Sequence, residues 1–240
     1  MKKVSFYNKH SEKLVGVLHV PNKTPAPAII ISHGFGSSKA NKEKWAAKLC
    51  DAGFLVLRFD FSGHGESAGA IAKTTPTKVA DDLRSAIKFV KDSGAKKIGL
   101  TGHSLGGLAS LLAGNEADAV AAIAPPSNFS DMYAGKRIDL GEWKKKGYAI
   151  LFGIKVNYSL YSDAMQYDQK IIAESIKCPV LIVHGDEDEI VPVQHSAELF
   201  NALKCEKRLE ILKGAKHNLE PEEYARMVEL TKQWFLLRLF

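Results

Sequence analysis

The stretch "KKIGLTGHSLGGLASLLAG", residues 96–114, decides how this chain folds. Ile98, Gly99, Leu100 and Thr101 form a short run with the character of a buried strand. Leu105, Leu108, Ala109, Leu111 and Leu112 recur at the spacing of a helix face. Between the two patterns stands Ser104, with Gly102 and Gly106 on either side. A strand that passes into a helix over so few residues must turn sharply. Residues without a side chain let such a strained turn close, and the serine is then lifted out of both elements.

The same alternation extends outward in both directions. Residues 4–6 and 14–20 read as paired strands, and "APAIIISHGFG" as a buried strand that stops at a glycine-rich turn. Residues 42–52 have helical spacing through Trp45, Ala46 and Leu49, with Gly53 after them. "FLVLRFD" is a further strand, and 77–93 a helix with Val79, Leu83, Ala86, Ile87 and Val90 on one face. Beyond the opening stretch, "AVAAIAP", "CPVLIVHGD" and "KRLEIL" read as strands, and 194–203 and 221–237 as helices. This is the α/β pattern: a mostly parallel central sheet of about eight strands, flanked by helices. One region, 127–172, has no clean strand–helix–strand unit and holds many aromatic residues, so it reads as a small inserted cap within a single domain spanning 1–240.

Composition narrows the class. A chain of 240 residues suits one large domain, and 45% hydrophobic with 25% charged residues is ordinary for a globular protein. The net charge of +6 is spread over many lysines, and the densest basic runs, at 96–97 and 144–146, have acidic neighbours. They read as solvated surface, not as a nucleic-acid patch. Cys50, Cys178 and Cys205 are too scattered for a disulfide framework or a metal site. The first residues carry no apolar signal core, and "YAILFGI" is too short to span a bilayer, so the expected location is cytoplasmic without stable membrane insertion. The oligomeric state is left open, a homodimer included.

G-x-S-x-G is a weak signal alone; a strand before it and a helix after it make it the setting of a nucleophile elbow. A serine hydroxyl needs a base to take its proton, and the base needs a carboxylate to hold its tautomer. In chains with this elbow the order is serine, acid, histidine. The loop in "LIVHGDEDEIVP" supplies carboxylates, and "GAKHN" sets His217 on a loop after a strand. His10, His19 and His195 lie elsewhere, and His33, His64, His103 and His184 touch glycine turns before that point. His217 is therefore the candidate base. Negative charge that develops on a carbonyl oxygen would meet the N–H of Leu105, at the start of the helix.

Taken together, "SHGFG", "FDFSGHGES", "GHSLGG", "HGDEDEIVP" and "KHN" resemble the successive strand-end motifs of the α/β-hydrolase superfamily, over nearly the whole chain. The resemblance implies that the acid is Asp188, three positions after Gly185, with Asp186 as its rival in the crowded "DEDE". It implies a second oxyanion donor at the N–H of Phe35, in "HGFG". No metal or organic cofactor is implied, and the partner is a small-molecule ester. The position of the cap and the compact size look most like the cinnamoyl and feruloyl esterase group, with bacterial monoacylglycerol lipases a near relative. Peptidase and thioesterase activity remain alternatives on the same scaffold, as does a non-catalytic ligand-binding role. In the cap, Asp131, Tyr133, Trp143, Tyr158, Tyr161 and Gln166 are the candidate substrate contacts, while most of its aromatic residues are expected to form the cap's own core. "YAILFGI" is the stretch that could line an acyl-chain pocket instead.

Overall fold

The computed structural model describes residues 1–129 and 138–240. Eight strands form one sheet: β1 (Lys2–Tyr7), β2 (Lys13–His19), β3 (Ala28–Ser32), β4 (Leu55–Phe59), β5 (Ile98–His103), β6 (Ala119–Ile123), β9 (Val180–Gly185) and β10 (Lys207–Leu212). Their spatial order is β1-β2-β4-β3-β5-β6-β9-β10. β2 pairs antiparallel with both of its neighbours, and every pairing from β4 to β10 is parallel.

The apolar runs explain the parallel centre. In β3, Ala28 and Ile30 join the core on one face of the sheet and Ile29 and Ile31 join the core on the other, all of them fully buried. A strand covered on both faces needs a continuous apolar run, not an alternating one. One face is covered by α2 (Pro76–Asp92), α3 (Leu105–Leu112) and α7 (Gln194–Ala202), through residues such as Leu83, Leu108 and Leu199. The other is covered by α1 (Glu43–Asp51) and α8 (Pro221–Leu239), through Trp45, Leu49, Trp234 and Phe235. A 3-10 turn at Lys39–Lys42 leads into α1. The α2 start is capped as its sequence suggests, with the Thr75 side chain accepting from the Lys78 N–H and Pro76 in the first turn. No described helix is long and apolar enough to cross a membrane.

Between β6 and β9 the chain leaves the sheet. Its described part holds α4 (Leu140–Lys146), the hairpin β7 (Tyr148–Leu151) and β8 (Ile154–Asn157), α5 (Ser159–Ala164) and α6 (Gln169–Glu174). Sequence periodicity missed these elements because each has at most seven residues. "YAILFGI" is a hairpin with Ile150 59% and Phe152 71% accessible, while Ala149, Leu151 and Ile154 pack inward. Phe152, at φ 51°, and Gly153, at φ 77°, make its turn. Trp143, Val156 and Leu160 form a small core, against which Phe35, Ile154, Tyr158 and Tyr161 pack.

Candidate active site

β5 ends at His103 and α3 begins at Leu105, so Ser104 alone makes the connection. Its backbone lies at φ 56°, ψ −119°, where a residue with a side chain is strained. Neighbouring backbone holds it there. The Ser104 N–H donates to the Ile123 carbonyl at 2.8 Å, and the Ser104 carbonyl accepts from the Leu108 N–H at 3.0 Å. The flanking glycines are required by space. A Cβ on Gly102 would lie 2.5 Å from the Gly106 carbonyl carbon, and one on Gly106 would lie 2.5 Å from the Ser32 carbonyl oxygen. The elbow closes because backbone packs directly on backbone.

Two loops at the same edge of the sheet bring up a carboxylate and an imidazole. Asp188 follows β9 and His217 follows β10, and His217 Nδ1 stands 2.6 Å from Asp188 Oδ2. The carboxylate is fully engaged. Its Oδ1 accepts from the N–H groups of Ile190, at 2.9 Å, and Val191, at 2.8 Å, and its Oδ2 also faces His184 Nε2 at 3.1 Å. Burial alone would push the Asp188 carboxyl up. The hydrogen bonds from His184, His217 and the Val191 N–H outweigh burial and hold it well below the usual carboxylate range. Asp186 is exposed and accepts from the Gly214 N–H at 2.6 Å, so the histidine ring belongs to Asp188.

Two further histidines fix this arrangement. His184 Nε2 lies within reach of Asp188 Oδ2 and of the Val191 carbonyl, at 2.9 Å, both of them acceptors. Nε2 therefore carries the proton, and Nδ1 accepts from the Ser196 hydroxyl at 2.6 Å. His103 donates from Nε2 to the His217 carbonyl oxygen at 2.9 Å, with the two rings 4.6 Å apart. Burial, and then the charge of Lys42, push His103 down to about 3, so it stays neutral. The sequence set both residues beside glycine turns but carried no sign of what they hold.

Ser104 and His217 face one cavity of about 400 Å³, which Phe35, Lys42, Phe152 and Tyr224 also line. The loop after β3 lies against the serine: a Cβ on Gly34 would stand 3.5 Å from Ser104 Cβ. The Phe35 and Leu105 N–H groups are taken up by no hydrogen bond among the described residues. The loop is braced from behind by Asp60, whose carboxylate accepts from the Lys39 N–H at 2.7 Å, Lys39 Nζ at 2.5 Å and the Glu66 N–H at 2.9 Å. "FDFSGHGES" thus carries the brace of the loop, not a reacting group.

Of the expected cap contacts, the four described ones, Trp143, Tyr158, Tyr161 and Gln166, do not line this cavity. Trp143 is buried against Tyr158 and Tyr161, with ring centroids 5.9 and 6.0 Å away, and Gln166 is an exposed turn residue. Asp131 and Tyr133 lie outside the described residues. Among the described residues of the cap, Phe152 is the one at the cavity, and spacing could not single it out, because a hairpin tip has no periodicity of its own. Among the described residues, no group of three or more metal-ligating side chains comes together.

An eight-stranded, mostly parallel sheet with a strained serine between strand and helix, and an aspartate–histidine pair at the same strand ends, defines an α/β hydrolase. The chain belongs to the family described as "Serine aminopeptidase, S33", which matches residues 23–138 and 153–223 and passes over the stretch holding α4 and β7. It is 27% identical over 227 residues to the Escherichia coli K12 protein YfhR, covering 89% of this chain and 72% of that one. It is 25% identical to a monoglyceride lipase homolog of Monkeypox virus, covering 84% and 85% of the two chains. Among solved structures, Est1E of Butyrivibrio proteoclasticus, with ferulic acid bound, superposes at a TM-score of 0.86 over 98% of both chains, at 24% identity.

Proposed function

We propose that the protein is a serine carboxylesterase in which Ser104, His217 and Asp188 act as nucleophile, base and orienting acid. The observation that carries this reading is the 2.6 Å contact between His217 Nδ1 and Asp188 beside a serine held at φ 56° in the same cavity. The Asp188 contact keeps the proton on Nδ1 and leaves Nε2 as the basic nitrogen. Nε2 takes the Ser104 proton while Oγ attacks the ester carbonyl, and the N–H groups of Leu105 and Phe35 hold the oxyanion. Collapse of the tetrahedral intermediate breaks the ester bond, and the imidazolium returns its proton to the departing alcohol. Water, deprotonated by Nε2, attacks the acyl-enzyme; the acid leaves and Ser104 regains its proton.

For the acyl group we favour a small ester of phenolic, cinnamoyl or feruloyl type. A cavity of about 400 Å³ that mixes Phe35, Phe152 and Met227 with Ser37, Asn41 and Asn218 suits a compact acyl group with a polar end better than a long aliphatic chain. The ferulic acid bound to Est1E and the monoglyceride lipase homolog are the two poles of this choice among similar proteins. The family description keeps peptidase activity as a second reading. The test is a comparison of kcat/KM for methyl ferulate, methyl p-coumarate, a long-chain monoacylglycerol, a thioester and an aminoacyl amide in one buffer. Higher values for the phenolic esters are expected. A clear preference for the long-chain glyceride would move the protein to the lipases, and a preference for the amide to the peptidases.

A further inference from the structure

Two lysines of the 3-10 turn Lys39–Lys42 are almost equally buried, 7% and 9% accessible, and among the described residues only one of them has an anion. Lys39 Nζ lies 2.5 Å from Asp60 Oδ2 and 2.5 Å from Glu66 Oε2. Lys42 has no carboxylate partner among the described residues. Asp60 is paired with Lys39, Glu43 with Arg58, and Asp188 with His184 and His217. His33 and His103, two rings that feel the charge of Lys42, are themselves uncharged.

An isolated ammonium in a desolvated site is unfavourable, and proteins keep such charges where a partner neutralises them. Lys42 faces the cavity that holds Ser104 and His217, beside the polar side chains of Ser37, Asn41 and Asn218. We propose that Lys42 is a specificity-determining residue that binds a carboxylate carried by the ester substrate. The inference rests on the serine-esterase reading for the reaction and goes beyond it in naming a negatively charged substrate class. Burial pushes the Lys42 amine down to about 8, which leaves it mostly protonated at neutral pH and able to pair with an anion. The carboxylate takes the position that Asp60 and Glu66 occupy for Lys39.

The test compares matched esters on wild type and Lys42→Met, a neutral side chain of similar length. One pair carries the charge on the acyl side: mono-p-nitrophenyl glutarate against p-nitrophenyl valerate. The other carries it on the leaving group: 4-acetoxybenzoate against 4-acetoxybenzamide. In at least one pair wild type should favour the anion by about tenfold or more in kcat/KM, chiefly through KM, as loss of a charge-assisted contact implies. Lys42→Met should remove that preference and change the neutral ester by less than about threefold. No preference in wild type for either anion, or an equal loss on both members of a pair, would overturn the assignment. Turnover of the neutral esters reports on the esterase reading by itself. If no ester is turned over, that reading falls, and calorimetric titration with glutarate decides the site: Lys42-dependent binding upholds it and no binding overturns it.

Discussion

At the scale of single residues, the candidate site depends on which carboxylate meets His217. Asp188 accepts from two backbone N–H groups and faces two imidazoles, while Asp186 accepts from Gly214 in solvent. Asp188→Asn presents an amide where the ring needs an acceptor, and turnover should fall on the order of 10⁴-fold, as a wrong histidine tautomer does in other triads. Asp186→Asn should fall less than about tenfold, because it loses one loop contact. Steady-state rates on one activated ester rank the two, and the reverse order would assign the acid to Asp186. Serine, acid, histidine order and the "HGDEDEIVP" spacing made Asp188 legible in the sequence. His184 and Lys42 were not legible: a histidine in a strand-end turn and a lysine in a polar run look the same whether they serve a site or solvent. Only the fold brings His184 Nε2 to Asp188 and sets Lys42 in the cavity wall.

At the scale of elements, the junction of β5 and α3 is a packing problem with one solution. Gly102, Gly106 and the Ser32 carbonyl occupy the same space, so Gly106→Ala drives a Cβ to 2.5 Å from a backbone oxygen. We expect it to destabilise the fold by about 1–3 kcal/mol or more and to move Ser104, so that activity falls even where the protein stays folded. Urea unfolding midpoints together with turnover test this; a variant with wild-type stability and rate would mean that the elbow has slack. The buried strands and long helices were read within a residue or two from period alone, because burial on both faces demands an apolar run and α2 and α8 are long. The region 127–172 was read only as an aromatic insertion. Its described helices and hairpin are too short for a period to develop, and of the aromatic side chains offered as substrate contacts the described ones, Trp143, Tyr158 and Tyr161, pack on one another. The tip residue Phe152 reaches the cavity, and Phe152→Ala should raise KM more than it lowers kcat.

At the scale of the whole molecule, a neutral histidine is buried just past the end of β3. His33 is fully buried; Nδ1 donates to the Gly34 carbonyl at 2.8 Å and Nε2 accepts from the Phe61 N–H at 3.0 Å. Burial pushes it down to about 3, against about 6.5 in an unfolded chain. The unfolded state therefore binds a proton between those values that the folded state does not. The stability His33 contributes is complete above pH 6.5 and is lost as pH falls toward 3, by about 1.4 kcal/mol per pH unit. His103, also pushed down to about 3, adds to the same slope. Melting temperatures should fall from pH 7 to pH 5, before most carboxylates titrate. A flat profile across that interval would mean that both rings accept protons in the folded state.

Covalent trapping tests most directly whether Ser104 is the nucleophile. A fluorophosphonate should react with the wild-type protein in a one-to-one adduct, and peptide mass spectrometry should find it on Ser104. Ser104→Ala should take up no label while keeping the wild-type fold. A folded wild-type protein that takes up no label, or a label found on another residue and retained in Ser104→Ala, would contradict that role.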